Sequence, residues 1–208
     1  VDLLASYSAL MGQDVDKGSL YARLFEAALA GDKDAGGLVS IPFVSGETIM
    51  GVQTGYPLVL REQNAAFNVA NLMRMNIMSA FGALAVGNEA LRAEQVGIDR
   101  LCGHGGIFKT PHVAQSLLAA ALQAPVTVME TAGEGGAWGM ALEAAYLALR
   151  EEGESLSDFL GRRVFAGMQG ETLAPDETDV EGYAIYLQRF MKANEAEKAA
   201  EAAYATDV

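Results

Sequence analysis

Apolar side chains recur at helical spacing at Leu20, Leu24, Ala27 and Ala28, which predicts a helix over 17–30. The run Gly31-Asp32-Lys33-Asp34-Ala35-Gly36-Gly37 then breaks it. The apolar stretch from Leu38 to Val44 reads as a buried strand ending at Ser45-Gly46-Glu47, and Pro57 to Arg61 as a second short strand. Residues 64–93 are rich in Ala and Met and poor in charge, which predicts one long helix buried over much of its surface. Asn64, Asn68 and Asn71 share a face of it at i, i+4 and i+7. Asparagine is a poor helix former, so the stripe calls for a polar cleft, a solvated face or an internal hydrogen-bonding seam. After Gly97 comes a short strand, Ile98 to Cys102. Thr110 reads as an N-cap with Pro111 at the first helical position, opening a helix that runs to about Gln123. Pro125 to Met129 is a further strand, 137–151 a helix and 156–164 a shorter helix or a helix–strand junction. Residues 167–179 read as a polar connector, and 180–204 as a terminal helix. The alternation of strand and helix in the second half predicts an α/β fold with parallel pairing there. No repeat or linker divides the chain, so 1–208 reads as a single domain.

Composition narrows the classes. Half of the 208 residues are hydrophobic, enough for a sizeable core and too many for a disordered chain. No apolar run approaches a membrane span, and no signal peptide is present. The lone Cys102 excludes an intramolecular disulfide, fits a reducing cytoplasm, and reads as a small buried hydrophobe. The chain begins at Val1 rather than Met, as expected of a fragment or excised domain. A net charge of −13 argues against nucleic acid and anionic membrane as partners.

That charge is unevenly placed. Residues 100–129 hold no Asp or Glu, while Arg100, His104, Lys109 and His112 all fall there. An anion site needs such a window, and so does plain burial of strand and helix, where acids are rare. The window contains Gly103-His104-Gly105-Gly106-Ile107-Phe108-Lys109-Thr110-Pro111. A second cluster follows at Gly133-Glu134-Gly135-Gly136-Ala137-Trp138-Gly139. Glycine lets backbone N–H groups approach a ligand closely, and free amides at a helix N-terminus suit an anion. Two such loops in tandem suggest a nucleotide, one loop for phosphate and one for the base.

Neither cluster matches a standard phosphate motif. Gly103 and Lys109-Thr110 have Walker A spacing, but Phe108 stands where that motif needs glycine. Gly133 and Gly135 fit a dinucleotide fingerprint, but Trp138 takes the third glycine position. The two histidines lie eight residues apart and read as structural, and no Gly-x-Ser-x-Gly elbow is present. The residues therefore offer no metal ligand set and no catalytic group of their own.

Taken in order, three motifs resemble the C-terminal lobe of the FGGY family of carbohydrate kinases. Leu38 through Ser45-Gly46-Glu47 resembles the family's strand ending in Ser-Gly-Glu. Gly105-Gly106 followed by Lys109-Thr110-Pro111 and Gln115 resembles its second phosphate motif. Gly135-Gly136-Ala137-Trp138-Gly139-Met140-Ala141 resembles its adenosine motif. The tail with Pro175, Tyr183 and Tyr186 has the family's look as well. The flavour is nearest the ribulokinase and xylulokinase branches.

The resemblance implies an α/β fold of ribonuclease-H-like, actin-like ATPase type, with a mixed sheet flanked by helices. It implies ATP and Mg²⁺ as cofactors and transfer of a phosphoryl group to the hydroxyl of a small-molecule sugar, a pentulose such as ribulose or xylulose. Gly105 and Gly106 would offer amides to phosphate, Lys109 positive charge, and Thr110 a helix cap that also bonds the nucleotide. Gly135, Gly136, Ala137 and Gly139 would line a flat adenine slot. Thr48 stands where many members have Arg, and Trp138 where Leu is usual. The family's general base, most of its sugar pocket and its first phosphate loop belong to an N-terminal lobe that is absent here. That lobe would be the chain's partner, with a homodimer a further option, and the chain alone would be inactive. The residues also leave open a non-catalytic actin-like nucleotide-binding module and an oligomerisation module whose glycines merely turn the chain.

Overall fold

The structure is a computed structural model that describes residues 1–130, 133 and 135–204. Helix α1 spans Asp2–Leu10 and α2 Lys17–Ala27, prolonged by a 3₁₀ turn at Ala28–Ala30. The Asp16 carboxylate caps α2 by accepting from the Ser19 N–H at 2.7 Å, satisfying one of the orphan donors of the first turn. Gly36 and Gly37 both take left-handed φ, +59° and +81°, and swing the chain into strand β1, Leu38–Ile41. All four β1 residues are buried. Strand β2, Leu58–Arg61, pairs antiparallel with it, Leu38 opposite Arg61 and Ile41 opposite Leu58.

The apolar 64–93 segment is two helices, α3 Val69–Ala80 and α4 Gly82–Ala93, bent by 48°. The break falls where Ser79 Oγ turns back to the Asn76 carbonyl at 2.8 Å and Gly82 follows, a Ser/Gly pairing that commonly kinks helices. Gly82 sits against the Phe190 ring, with no room for a Cβ. The asparagine stripe divides. Asn64 lies in a turn before the helix, and Asn68 is the N-cap, accepting from the Asn71 N–H at 2.9 Å. Asn71 is a buried seam residue, accepting from the Asp32 N–H and donating to the Asp32 carboxylate.

In the second half β3 Leu101–Gly103 runs parallel to β4 Val126–Met129. The connection is α5, Val113–Leu122, buried throughout except at Ser116. Beyond β4 come α6 Gly135–Leu149, α7 Leu156–Phe159 with a π-helical turn at Leu160–Val164, β5 Gly170–Leu173, and α8 Glu177–Tyr204. Strand β5 lies in the segment expected to be a connector and pairs antiparallel with β4. The second sheet is therefore mixed, in the order β3-β4-β5.

Helix α8 packs against α3, α4, α5 and β1. Tyr183 and Tyr186, both buried, donate to the Met78 and Met75 carbonyls of α3. Asp179 holds the fully buried Arg74 guanidinium and the Lys33 ammonium. Cys102 is exposed on β3, not the buried hydrophobe expected, because it lies on an edge strand of a three-stranded sheet.

Candidate functional site

The chain leaves β3 at Gly103 and turns through His104 and Gly105. Gly105 has φ +109° and ψ 171°, a region open essentially to glycine alone. Gly106 then opens a 3₁₀ turn, Gly106–Phe108. Its backbone would accept a side chain, and among the described residues beyond its chain neighbours no atom lies within 4 Å of where a Cβ would sit.

Thr110 is buried but does not cap α5. The Val113 N–H bonds the Pro111 carbonyl at 2.8 Å, and His112 takes left-handed φ, +65°. An extra turn thus separates Pro111 from the helix, which starts two residues later than the Thr-Pro signal predicts. The His112 carbonyl accepts from the Ser116 N–H at 2.9 Å, in the cap position.

The second glycine cluster meets the first. A Cβ on Gly133 would stand 3.0 Å from Lys109 Cε, and one on Gly135 2.8 Å from His104 Cβ. Gly135 is thus needed for the two loops to touch, while at Gly133 the flexible end of Lys109 could give way. Glu134 lies outside the described residues. Gly136 and Gly139, like Gly106, have open space where a Cβ would stand, with no side chain of the described residues beyond their chain neighbours within 4 Å, and Gly136 and Ala137 are exposed at the start of α6. Trp138 packs edge-on to Phe165, ring centroids 6.0 Å apart.

Between the loops lies a cleft of about 670 Å³, lined by residues 108–112, Gln115, 128–130, Gly133 and 169–171. Lys109 and Thr110 are in its wall. Gly105, Gly106, Gly135, Gly136, Ala137 and Gly139 are not, and sit on the loops that flank it. The wall carries Lys109 and His112 together with Glu130 and Glu171, and His112 Nδ1 lies 3.5 Å from Glu171 Oε1. Helix α5 presents its N-terminus here with no acid in its first turn, an arrangement that favours an anionic ligand.

Gln115 builds the floor. Buried, it donates from Nε2 to the Val126 and Glu171 carbonyls, 2.9 Å each, and so clamps β5 beside β4. Gly170 allows this approach, since a Cβ would meet Met129 Sδ at 2.5 Å. Gln169, Glu171 and Glu130 are cleft residues that sequence reasoning missed, and His112, counted in the acid-free window but read as structural, joins them in the wall. The first three sit around polar β5, and the only sequence signal for that strand is Thr172, whose hydroxyl meets that of Thr127 at 2.7 Å.

The profile of the FGGY family of carbohydrate kinases, C-terminal domain, matches residues 3–148. The chain belongs to the FGGY family. Solved structures agree on the fold. A ligand-bound xylulose kinase from Lactobacillus acidophilus superposes with a TM-score of 0.65 at 15% identity, covering 88% of this chain and 36% of that one. A xylulose kinase from Rhodospirillum rubrum gives 0.62 at 20%, covering 98% and 38%. A gluconate kinase from Lactobacillus acidophilus gives 0.64 at 15%, covering 88% and 35%. The FGGY chain described here thus spans little more than a third of these kinases. No curated protein matches it in sequence. The mixed α/β architecture is that of FGGY C-terminal domains, of actin-like ATPase fold. Among the described residues no single helix is long and apolar enough to cross a membrane.

Proposed function

We propose that residues 1–208 form one domain, the nucleotide-binding C-terminal lobe of an ATP-dependent cytoplasmic kinase that phosphorylates a sugar hydroxyl, with a pentulose such as xylulose or ribulose as acceptor. The observation that carries this reading is the contact of the two glycine loops beside a cleft at the N-terminus of α5. The triphosphate would run along Gly105–Thr110, where Gly106 offers an amide with no side chain in the way. The adenine would lie on Gly135–Gly139, whose bare α6 face leaves room for a flat ring. Mg²⁺ would neutralise phosphate charge during transfer. Among the described residues no three His, Cys, Asp or Glu side chains form a group that could hold it. Its protein contacts, the general base and most of the sugar pocket are assigned to an N-terminal lobe. General-base catalysis needs a carboxylate within hydrogen-bond reach of the attacking hydroxyl, and this reading takes that carboxylate from the other lobe.

Trp138, the one tryptophan among these 208 residues, gives a test. Mg²⁺-ATP should change the tryptophan fluorescence of the complete enzyme, and Trp138→Phe should remove the part of that change that Trp138 contributes. Gly106→Val should raise the apparent KM for ATP and lower kcat, since misplacing phosphate by about 1 Å can cost on the order of 10²-fold. A thermal melt is measured alongside and the kinetics are normalised to folded protein, since a Cβ at Gly106 meets no atom of the described residues beyond its chain neighbours and the variant is expected to fold. Normal ATP kinetics in a well-folded Gly106→Val enzyme would remove Gly106 from the site. Sugar-dependent turnover by residues 1–208 alone would overturn the assignment of the base to another lobe. Comparing pentuloses with hexuloses and polyols as acceptors tests the substrate class.

A further inference from the structure

The loop 46–56 between β1 and β2 is held to the last three turns of α8 by a ladder of polar side chains. Asn194 Nδ2 donates to the Met50 carbonyl at 2.9 Å. Glu197 Oε1 accepts from the Tyr56 N–H at 3.1 Å. Glu201 accepts from the Gln53 and Thr54 N–H groups, and the Tyr56 ring stacks on Tyr204.

The ladder is incomplete in one place. Asn194 Oδ1 and Glu197 Oε2 are both buried acceptors with no hydrogen-bond partner among the described residues, on residues that are 2% and 0% exposed. Buried acceptors are almost always satisfied, and an uncompensated buried carboxylate is costly. These two belong to residues three apart on one helix face, whose Cβ atoms lie about 5–6 Å from each other. Both side chains also reach into the same loop.

The charges around Glu197 do not compensate it. On α8 they are Glu201 and Lys198, and the Lys198 ammonium is paired with Glu195 at 2.9 Å. On the loop they are Glu47, whose carboxylate accepts from the Ile49 N–H, and the Tyr56 phenol, which donates to the Tyr204 carbonyl. Helix α4 adds none: its Glu89 and Arg92 pair with each other and lie with Gln123 and the Tyr183–Met191 part of α8. A metal cation would need about six or more oxygen ligands, where two acceptors stand unpartnered. A proton needs only two.

We propose that Glu197 is a carboxylic acid in the folded protein, that its Oε2–H donates to Asn194 Oδ1, and that this one proton latches the loop 46–56 onto α8. Loss of the proton leaves two facing acceptors and a buried charge next to Glu201, and the loop releases. Burial, reinforced by the Glu201 charge, pushes the Glu197 carboxyl above its ordinary range, against the Tyr56 N–H, which favours ionisation. The sign follows. The closed loop binds the proton and the open loop, with an ordinary carboxyl, does not. Closure is therefore complete at acid pH and weakens as pH rises from the ordinary glutamate range to the raised value.

Carbon-detected NMR of the Glu197 carboxyl in residues 1–208 should show a protonated acid at pH values where exposed glutamates are ionised. In hydrogen exchange, corrected for intrinsic rates, protection at Gln53 and Tyr56 should fall about tenfold per pH unit across that window, the slope of one linked proton. Glu197→Gln mimics the neutral acid, since its amide can donate to Asn194 while its carbonyl accepts from Tyr56. It should abolish the slope and keep the protection. An ionised Glu197 throughout, or the same slope in Glu197→Gln, would overturn the proposal. So would a K⁺- or Mg²⁺-dependent rise in Tm that disappears in Glu197→Gln, which would put a cation where the proton is placed.

Discussion

Neighbouring glycines 105 and 106 do different work. Gly105 is required by the backbone, since its φ and ψ belong to a region side chains avoid. At Gly106 neither the backbone angle nor a contact with the described residues requires glycine. The sequence motif treats them alike, because a glycine pair reads the same whether the space beside it belongs to the fold or to a ligand. Gly105→Ala should therefore lower stability by about 1–3 kcal/mol, measured by urea unfolding, a cost Gly106 substitutions escape. Gly182 belongs with Gly105 for a steric reason. It sits mid-helix in α8 against the Lys33 backbone, closer than any Cβ allows. Gly182→Ala is expected to destabilise by about 1–3 kcal/mol despite the better helix propensity of alanine, and a Tm equal to or above wild type would show that α8 can shift to accommodate it.

Among the elements, the buried strands and amphipathic helices were legible in the sequence because their apolar periodicity is strong. Strand β5 was not, since it is an exposed polar edge held by Gln115 and by the Thr127–Thr172 pair. Those contacts come from residues 45–56 positions away, and no local pattern announces them. The start of α5 was misplaced for the opposite reason. The local Thr-Pro signal is genuine, but a left-handed His112 intervenes. The candidate site was readable as two glycine loops, while its acidic wall, carried by β5 and the end of β4, was hidden with the strand. The joint between α3 and α8 is also non-local. Arg74 is fully buried and meets Asp179 and the Ala28 carbonyl. Replacing it with Leu leaves the Asp179 carboxylate short of its main partner, and breaking a buried pair on one side typically costs about 3–5 kcal/mol. Chemical denaturation of Arg74→Leu checks this, and a loss below about 1 kcal/mol would mean that Lys33 alone suffices for Asp179.

For the molecule as a whole, acid response can be assigned to a particular bond. Burial raises the Asp34 carboxyl, but the Arg189 guanidinium at 2.9 Å and the Gly36 N–H outweigh it and hold the group below the ordinary aspartate range. Because the folded state binds this proton more weakly, the stabilisation is complete above the ordinary range and is lost as pH falls through the lowered value. Asp34→Asn should flatten that part of the acid-unfolding curve, and an unchanged curve would assign the acid sensitivity elsewhere. Arg189 is on α8, as are Asp179, Tyr183, Tyr186 and Asn194, and each of these reaches a partner 105–155 residues earlier. This arrangement sets an order in time during synthesis. At about 5–20 residues per second, the α3 and β1 segments emerge from the ribosome on the order of ten seconds before the helix that covers them. For that interval the surfaces of Met75, Met78 and Leu38 have no native lid, so this is the stretch of the nascent chain on which holding chaperones are expected to act.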